Sequence, residues 1–236
     1  MYDDTPCNEV RTMSKPSSHS LNCADCAVGN CGKLLKSFPD FCLTTKTPRE
    51  TVENVVSRYI KSPKDRKIAI ASATIECDYY GRATRVEEIL LFIRAMGYKK
   101  VGVATCVGLL SECNRFAKIA RAKGIDIYGV ACKVGAVDKT VIGLTEDQKL
   151  SPGTHESMCN PILQAELLNE QKTELNIVIG LCVGHDSLFI KHSKAPVTYL
   201  VVKDRVLCHN PAAALYGADG YYRRLLTPDL PEPASR

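Results

Sequence analysis

Tryptophan is absent from the sequence, aromatic residues are few, and no hydrophobic run is long enough to cross a membrane. Aromatic side chains make up 6% of the 236 residues. The longest apolar candidate, residues 175–184, has the length of a strand rather than of a membrane-spanning helix. The first twenty residues are acidic and polar and contain no apolar signal core, so export by a signal peptide is not expected. These absences predict a cytoplasmic protein without a membrane partner.

Nucleic-acid binding is not predicted either, because the basic residues are scattered and no aromatic residues are interleaved with them. The formal net charge is +5 with every thiol counted as neutral. Thiolates bound to a metal would bring the charge of the loaded protein nearer to zero. The chain also lacks a phosphate-binding Gly-x-x-x-x-Gly-Lys loop, a His-Glu-x-x-His zinc motif and a dinucleotide-binding Gly-x-Gly-x-x-Gly after a strand.

The pattern of hydrophobic residues predicts alternating helices and strands. Hydrophobic and charged residues, at 45% and 24%, are sufficient for a domain with its own core. The expected strands are 67–74, 101–105, 125–131, 176–181 and 197–203, with helices between them. Short connections favour a parallel sheet with right-handed crossovers. We therefore expect an α/β fold with a doubly wound, mostly parallel sheet of about five strands.

Four segments are predicted along the chain. They are a flexible leader at 1–20, a cysteine-rich metal-binding segment at 21–46, the α/β domain at 47–226 and a flexible tail at 227–236. Two helix starts carry the pattern of a capping box, Thr47 with Glu50 and Thr84 with Glu87.

Twelve cysteines are the most unusual feature of the composition. A cytosolic chain with this many thiols is more often a metal protein than a disulfide-bonded one. Four of them, Cys23, Cys26, Cys31 and Cys42, are separated by two, four and ten residues in a polar stretch that offers no packing role. Zinc sites usually consist of two close pairs, whereas three clustered thiols and a distant fourth favour iron–sulfur ligation, although neither ferredoxin spacing is matched.

A second group of thiols follows the predicted strands. Cys106, Cys132 and Cys182 stand where strands end, and Cys159 precedes the helix start at Asn160. The carboxyl ends of parallel strands, about 4.8 Å apart, share the edge at which ligands bind. Core packing would explain one such cysteine, but their matched positions favour a common metal centre. This group either forms its own centre or shares one with the N-terminal thiols.

Four short motifs together resemble the DUF1847 family, an uncharacterised prokaryotic family of predicted metal-binding proteins. The motifs are Cys23-x-x-Cys26-x4-Cys31, Ala-Thr-Cys106-Val-Gly, Met158-Cys159-Asn160-Pro161 and Gly180-Leu-Cys182-Val-Gly-His185-Asp186. The resemblance covers residues 20–220 and implies that these cysteines bind metal. It implies no substrate and no catalytic residue.

Polar residues beside the strand-end thiols are candidates for chemistry. His185 and Asp186 follow Cys182 in the turn that opens a helix, where His185 can act as a proton donor or ligand. The alternative is that Asp186 caps the helix and His185 forms a local hydrogen bond. Lys133 can stabilise an anionic cluster or substrate, or can simply be solvated. Gly108 and Gly184 let the backbone approach a bound group closely.

The expected function is that of an iron–sulfur protein, with one or two clusters of the [4Fe–4S] type. It would perform redox or sulfur-handling, desulfuration-type chemistry on a small molecule, as an oxidoreductase or desulfurase. The alternatives are a non-catalytic zinc-binding or metal-trafficking protein, and a simple electron carrier with a redox partner protein. The sequence leaves the substrate, the oligomeric state and the roles of Cys77, Cys113 and Cys208 open.

Overall fold

The structure, a computed structural model, describes residues 20–33 and 37–230. Apart from Ser20, the predicted leader lies outside the described residues, as does the predicted tail from residue 231 onward. The chain divides into two compact units, Met1–Arg66 and Lys67–Arg236. In the described part of the chain, no helix combines the length and the apolar character that crossing a membrane requires.

Eight α-helices and four β-strands form the regular structure of the described residues. The helices are α1 (Leu43–Lys46), α2 (Arg49–Lys61), α3 (Pro63–Tyr79), α4 (Arg85–Met96), α5 (Leu110–Arg121), α6 (Pro161–Glu170), α7 (His185–His192) and α8 (Ala212–Tyr216). The strands are β1 (Lys100–Thr105), β2 (Asp126–Ala131), β3 (Leu175–Ile179) and β4 (Val197–Val201).

The strand predicted at 67–74 is wrong, because this segment lies inside helix α3. From the sequence alone, a short apolar run is compatible with a strand and with a segment of a buried helix. Here the alanines favour helix, and the buried residues Ala71 and Ile75 are spaced four apart, as on one face of a helix. Cys77 therefore follows no strand and is an exposed residue of α3.

One predicted capping box forms and the other does not. At the start of α4, the Thr84 side chain accepts from the Glu87 backbone N–H, and the Glu87 side chain accepts from the Thr84 N–H at 2.7 Å. Helix α2 begins one residue later than expected, with Pro48 at the cap position, and no side chain caps it. The box predicted for Thr47 and Glu50 is therefore wrong.

The sheet is fully parallel and has the strand order β2-β1-β3-β4. It is an α/β sheet as predicted, with four strands instead of five. Right-handed crossovers place α5 on one face and α6 and α7 on the other, and α6 and α7 pack against each other. Every residue of the interior strand β3 is buried. This is expected of a parallel sheet whose two faces are both covered by helices.

The strand order reverses between β1 and β3. From β1 the chain crosses to β2 on one side, and it then returns past β1 to β3 and β4 on the other side. In open α/β sheets, such a reversal leaves a crevice at the carboxyl ends of the two central strands. The residues that follow β1 and β3 therefore border the place where a ligand is expected.

Candidate functional site

The register of the sheet places Cys106 and Cys132 at equivalent positions on neighbouring strands. Thr105 pairs with Ala131 and with Ile179, so β1, β2 and β3 end at one level. The ladder continues one residue further, because the Cys132 N–H donates to the Thr105 carbonyl at 2.8 Å. Both thiols are buried. The prediction that these two cysteines meet at the carboxyl edge of the sheet is confirmed.

Cys159 reaches the same edge through the loop that precedes α6. The Asn160 N–H donates to the Cys132 carbonyl at 2.7 Å, and the Sγ atoms of Cys132 and Cys159 are 3.8 Å apart. The Asn160 side chain caps α6 by accepting from the Leu163 N–H at 3.1 Å. The capping signature seen in the sequence therefore fixes the backbone next to Cys159.

Two basic residues contact the thiols, and sequence reasoning missed both. Lys203 Nζ donates to Cys106 Sγ at 2.7 Å, and Arg205 Nη2 donates to Cys182 Sγ at 3.0 Å. The only indication of their role in the sequence was their position, because both residues follow the end of β4 at Val201. Below, the thiol edge means Cys106, Cys132, Cys159 and Cys182.

The thiols of this edge differ in their ease of ionisation. The hydrogen bond with Cys132 lowers the pKa of Cys159 to about 5, and the positive charges of Lys133 and His185 act in the same direction. The same hydrogen bond, together with burial, raises the pKa of Cys132. Burial is the largest single influence on the pKa of Cys106 and raises it, but the hydrogen bonds from Lys203 and the Gly108 N–H, together with the charge of Lys203, outweigh burial and lower the pKa. The surroundings of the edge thus favour ionisation of Cys159 and Cys106 and disfavour ionisation of Cys132.

The predicted polar residues lie around these thiols. Lys133 Nζ donates to the Ser157 carbonyl beside Cys159. His185 is the first residue of α7, and its buried Nδ1 atom has no hydrogen-bond partner in the described part of the chain. Asp186 raises the pKa of Tyr199 to about 12, although burial of the tyrosine is the larger cause. The Asp186 carboxylate also accepts from the Ser187 N–H at 2.8 Å.

The two predicted glycines border the same turns. A Cβ atom built on Gly108 would lie 3.6 Å from Lys203 Nζ and 3.9 Å from Cys106 Sγ. Gly184 has a φ of +85°, a conformation that glycine adopts without strain. It immediately precedes α7 and so sets the entry of the chain into the helix.

A fully buried glutamine ties the ends of β1 and β2 to α6. Gln164 Nε2 donates to the Val130 carbonyl at 2.7 Å and to the Thr105 carbonyl at 3.2 Å. Its Oε1 atom is buried and has no hydrogen-bond partner within residues 20–33 and 37–230. Sequence reasoning missed this residue, because a glutamine on a helix is normally read as a solvent-exposed residue.

The N-terminal thiols are far more accessible. Cys23, Cys26 and Cys31 are exposed and Cys42 is half-buried. A hydrogen bond with the Thr44 side chain lowers the pKa of Cys42. Within residues 20–33 and 37–230, no group of three or more His, Cys, Asp or Glu side chains stands ready to hold a metal ion. Metal binding by these thiols and by the thiol edge stays a prediction.

The remaining cysteines of the described chain have different surroundings. Cys113 is buried on the inner face of α5, and burial raises its pKa. Cys208 is exposed and has a φ of +50°. Among the described residues, neither Cys113 nor Cys208 forms a hydrogen bond with a thiol of the edge. Cys113 is therefore a suitable control for experiments on that edge.

A charged network holds the loop that delivers Cys159. Lys149, only 3% exposed, donates to Glu146 Oε1 at 2.7 Å and to Asp138 Oδ2 at 3.2 Å. Asp138 also accepts from the Glu156 N–H at 2.8 Å and forms a β-bridge with Ser157. Backbone N–H donors and Lys149 hold the pKa of Asp138 well below its usual range.

We expect this network to make stability depend on acid pH. A carboxyl whose folded pKa is depressed contributes stability that is present above its unfolded pKa and is lost as pH falls through the folded pKa. The urea midpoint should therefore drop below about pH 4, and Asp138→Asn should lower the midpoint at neutral pH and flatten that drop. Asp126→Asn, at an exposed position, is the control. Equal pH profiles for Asp138→Asn and the wild type would contradict the role of the network.

Comparison with known proteins supports the family resemblance. A model of the DUF1847 family, described as a protein of unknown function, matches residues 42–200. The uncharacterised protein MJ0455 of Methanocaldococcus jannaschii is 47% identical over 185 residues, which cover 78% of this chain and 93% of that protein. The matched range includes all four thiols of the thiol edge and begins at Cys42. The chain belongs to the DUF1847 family.

Proposed function

We propose that the protein is a cytoplasmic iron–sulfur protein whose thiol edge holds a [4Fe–4S] cluster and reacts there with a small molecule. The observation that carries the proposal is the convergence of Cys106, Cys132 and Cys159 at the carboxyl ends of two paired strands. These three thiols come from distant parts of the sequence. Their meeting at the edge where open α/β sheets bind ligands supports a functional centre rather than independent packing.

The donor set fits such a cluster in its chemistry. Ligation by the three converging thiols Cys106, Cys132 and Cys159 leaves one iron without a protein ligand, which is the arrangement that separates catalytic from closed metal sites. Ligation by Cys182 as the fourth thiol would close the site. The Val107 N–H donates to Cys132 Sγ at 3.4 Å, and hydrogen bonds to sulfur are among the means by which proteins tune a cluster. Because no complete ligand shell stands ready among the described residues, binding requires rotation of these side chains.

The chain's own residues have distinct parts in this proposal. When bound, the cluster supplies a Lewis acid and an electron store. Lys203 offsets negative charge at Cys106, and Arg205 does so at Cys182. His185 can hold or release a proton near Cys159, because an imidazole nitrogen can accept or donate a proton and its Nδ1 has no hydrogen-bond partner among the described residues. Lys133 adds positive charge for an anionic substrate.

The N-terminal thiols are proposed to hold a second cluster. Four cysteines saturate a [4Fe–4S] cluster, and electron transfer is then its natural task. In this proposal Cys23, Cys26, Cys31 and Cys42 pass electrons from a redox partner protein. Their exposure is compatible with access by such a partner.

A single zinc ion is the second candidate for the thiol edge, and one distance favours it. In a tetrahedral site with Zn–S bonds of about 2.3 Å, two sulfur ligands are about 3.8 Å apart. The Sγ atoms of Cys132 and Cys159 have this separation. The protein would then be a non-catalytic zinc-binding or metal-trafficking protein.

Metal analysis of anaerobically purified protein tests the proposal. The iron–sulfur protein should be brown and should contain iron and acid-labile sulfide in equal amounts, about four of each per cluster. Cys132→Ser should lower the iron content and the sulfide content by the amounts that one cluster contributes. The matched control is Cys113→Ser, since both thiols are buried but Cys113 lies outside the thiol edge.

The outcomes separate the candidates. A colourless protein with one zinc ion that Cys132→Ser removes would establish the second candidate and reject the first. If iron and sulfide are lost in Cys26→Ser but unchanged in Cys132→Ser, the only cluster lies in the N-terminal segment. Our assignment of the thiol edge would then be wrong.

A further inference from the structure

A cavity of about 630 Å³ lies at the opposite edge of the sheet from the thiols. It is bordered by the residues that lead into β1 and β2, including Lys99 and Ile125, and by the ends of α3 and α4. We call it the amino-edge cavity. Its volume is within the range of about 300–1,000 Å³ that is typical of small-molecule sites. The metal proposal assigns no role to it.

The charged residues that line the amino-edge cavity are mostly basic. Four cations and one carboxylate line it, namely Arg82, Arg94, Lys99, Lys123 and Glu87. Within residues 20–33 and 37–230, none of the four cations lies within ion-pair distance of a carboxylate. The carboxylate of Glu87 is already engaged, because it accepts from the N–H and the hydroxyl of Thr84, both at 2.7 Å. Glu87 interacts electrostatically with Lys123, and Glu174, outside the lining, interacts with Lys99. The four cations outnumber these two carboxylates, so the cavity presents an excess of positive charge.

The rest of the cavity wall is apolar and aromatic. Leu90 and Ile93 of α4 contribute aliphatic surface, and Tyr79 and Tyr98 contribute rings. The Tyr98 hydroxyl is buried and has no hydrogen-bond partner among the described residues, a condition that costs free energy. An aromatic ring would find apolar contact along this wall.

We propose that the amino-edge cavity binds an organic phosphate of nucleotide size. Arginine and lysine recognise phosphate oxygens through charge-assisted hydrogen bonds, and the apolar wall accommodates the planar part of the ligand. A ligand with both a phosphate and a planar apolar part uses the whole cavity, whereas a purely anionic ligand would leave the apolar wall without a contact. The site is independent of the thiol edge and of any metal.

Calorimetric titration of the full chain with ATP, AMP, adenosine and inorganic tripolyphosphate tests this site at one fixed salt concentration. ATP should bind at least about tenfold more tightly than adenosine or tripolyphosphate, because only ATP uses both the cations and the apolar wall. Arg94→Glu and Lys123→Glu should each weaken ATP binding by about tenfold or more. Both are exposed positions, so folding should be retained and is checked by circular dichroism.

Lys118→Glu is the matched control, since Lys118 is an exposed basic residue in the last turn of α5 that does not line the cavity. It should leave ATP binding unchanged. An equal loss in Lys118→Glu and Arg94→Glu would show unspecific charge attraction and would overturn the proposal. Absence of ATP binding at millimolar concentration, or tripolyphosphate binding as tightly as ATP, would overturn it as well. Cys132→Ser should bind ATP normally whether or not the protein contains iron.

Discussion

In the metal-free protein, the reactivity of Cys159 toward iodoacetamide should be almost independent of pH above about pH 6. With a pKa of about 5, this thiol is already ionised under those conditions. Free cysteine, with a pKa near 8.5, gains thiolate about tenfold per pH unit over the same range. The rate of Cys159 relative to free cysteine should therefore fall about 400-fold between pH 5.5 and pH 8.5.

This change in the ratio of rates reports ionisation and not accessibility, because limited access to the half-buried thiol slows alkylation equally at both pH values. Peptide mass spectrometry after timed alkylation separates Cys159 from the other thiols. Cys132→Ala should move the profile toward that of free cysteine, since the hydrogen bond with Cys132 is the largest cause of the low pKa. A Cys159 rate that rises in parallel with free cysteine up to pH 8.5 would refute the thiolate assignment.

The sequence was sufficient to locate the carboxyl edge and two of its thiols. Cys106 and Cys132 directly follow short segments rich in valine and isoleucine that the sequence pattern predicts as strands, and parallel strands end at a common edge. Because β1 and β2 pair in parallel with Thr105 opposite Ala131, the two cysteines that follow these residues lie side by side. Cys159 was found through the capping pattern of Asn160, which depends on local backbone chemistry alone.

The errors arose where tertiary contacts decide the outcome. Residues 67–74 belong to helix α3, in which Ala71 and Ile75 share one buried face. The short alternating apolar run is compatible with a strand as well, so its periodicity alone did not decide between them. Lys203 and Arg205 were missed because contact with Cys106 and Cys182 depends on where the chain goes after β4. Long basic side chains reach partners that their sequence position does not reveal.

The amino-edge cavity was beyond sequence reasoning for a related reason. Its four cations come from α4 and from three connecting segments, so no motif of fixed spacing exists. The phosphate-binding loops that sequences reveal place glycines and backbone N–H groups at regular intervals. A cavity built from side chains leaves no such spacing in the sequence.

Phe189→Ala should be among the most destabilising single substitutions in the α/β unit. Phe189 is fully buried at 0% exposure in α7, the helix that begins at His185. Loss of a buried phenylalanine costs about 3–5 kcal/mol, because transfer energy is lost and a cavity remains. The whole stability of a domain is about 5–15 kcal/mol, so the urea midpoint should fall by roughly a third or more.

The matched control is Leu188→Ala, on the same helix but 39% exposed. This substitution should lower the free energy of unfolding by about 1 kcal/mol or less, because Leu188 is partly exposed already and its removal leaves no closed cavity. Urea unfolding followed by circular dichroism measures both variants, with equal slopes showing that the unfolded state is unaffected. Since α7 carries His185 toward Cys159, Phe189→Ala should also move the alkylation profile of Cys159 toward that of free cysteine. Equal midpoints for the two variants would mean that α7 is not anchored to the sheet through Phe189.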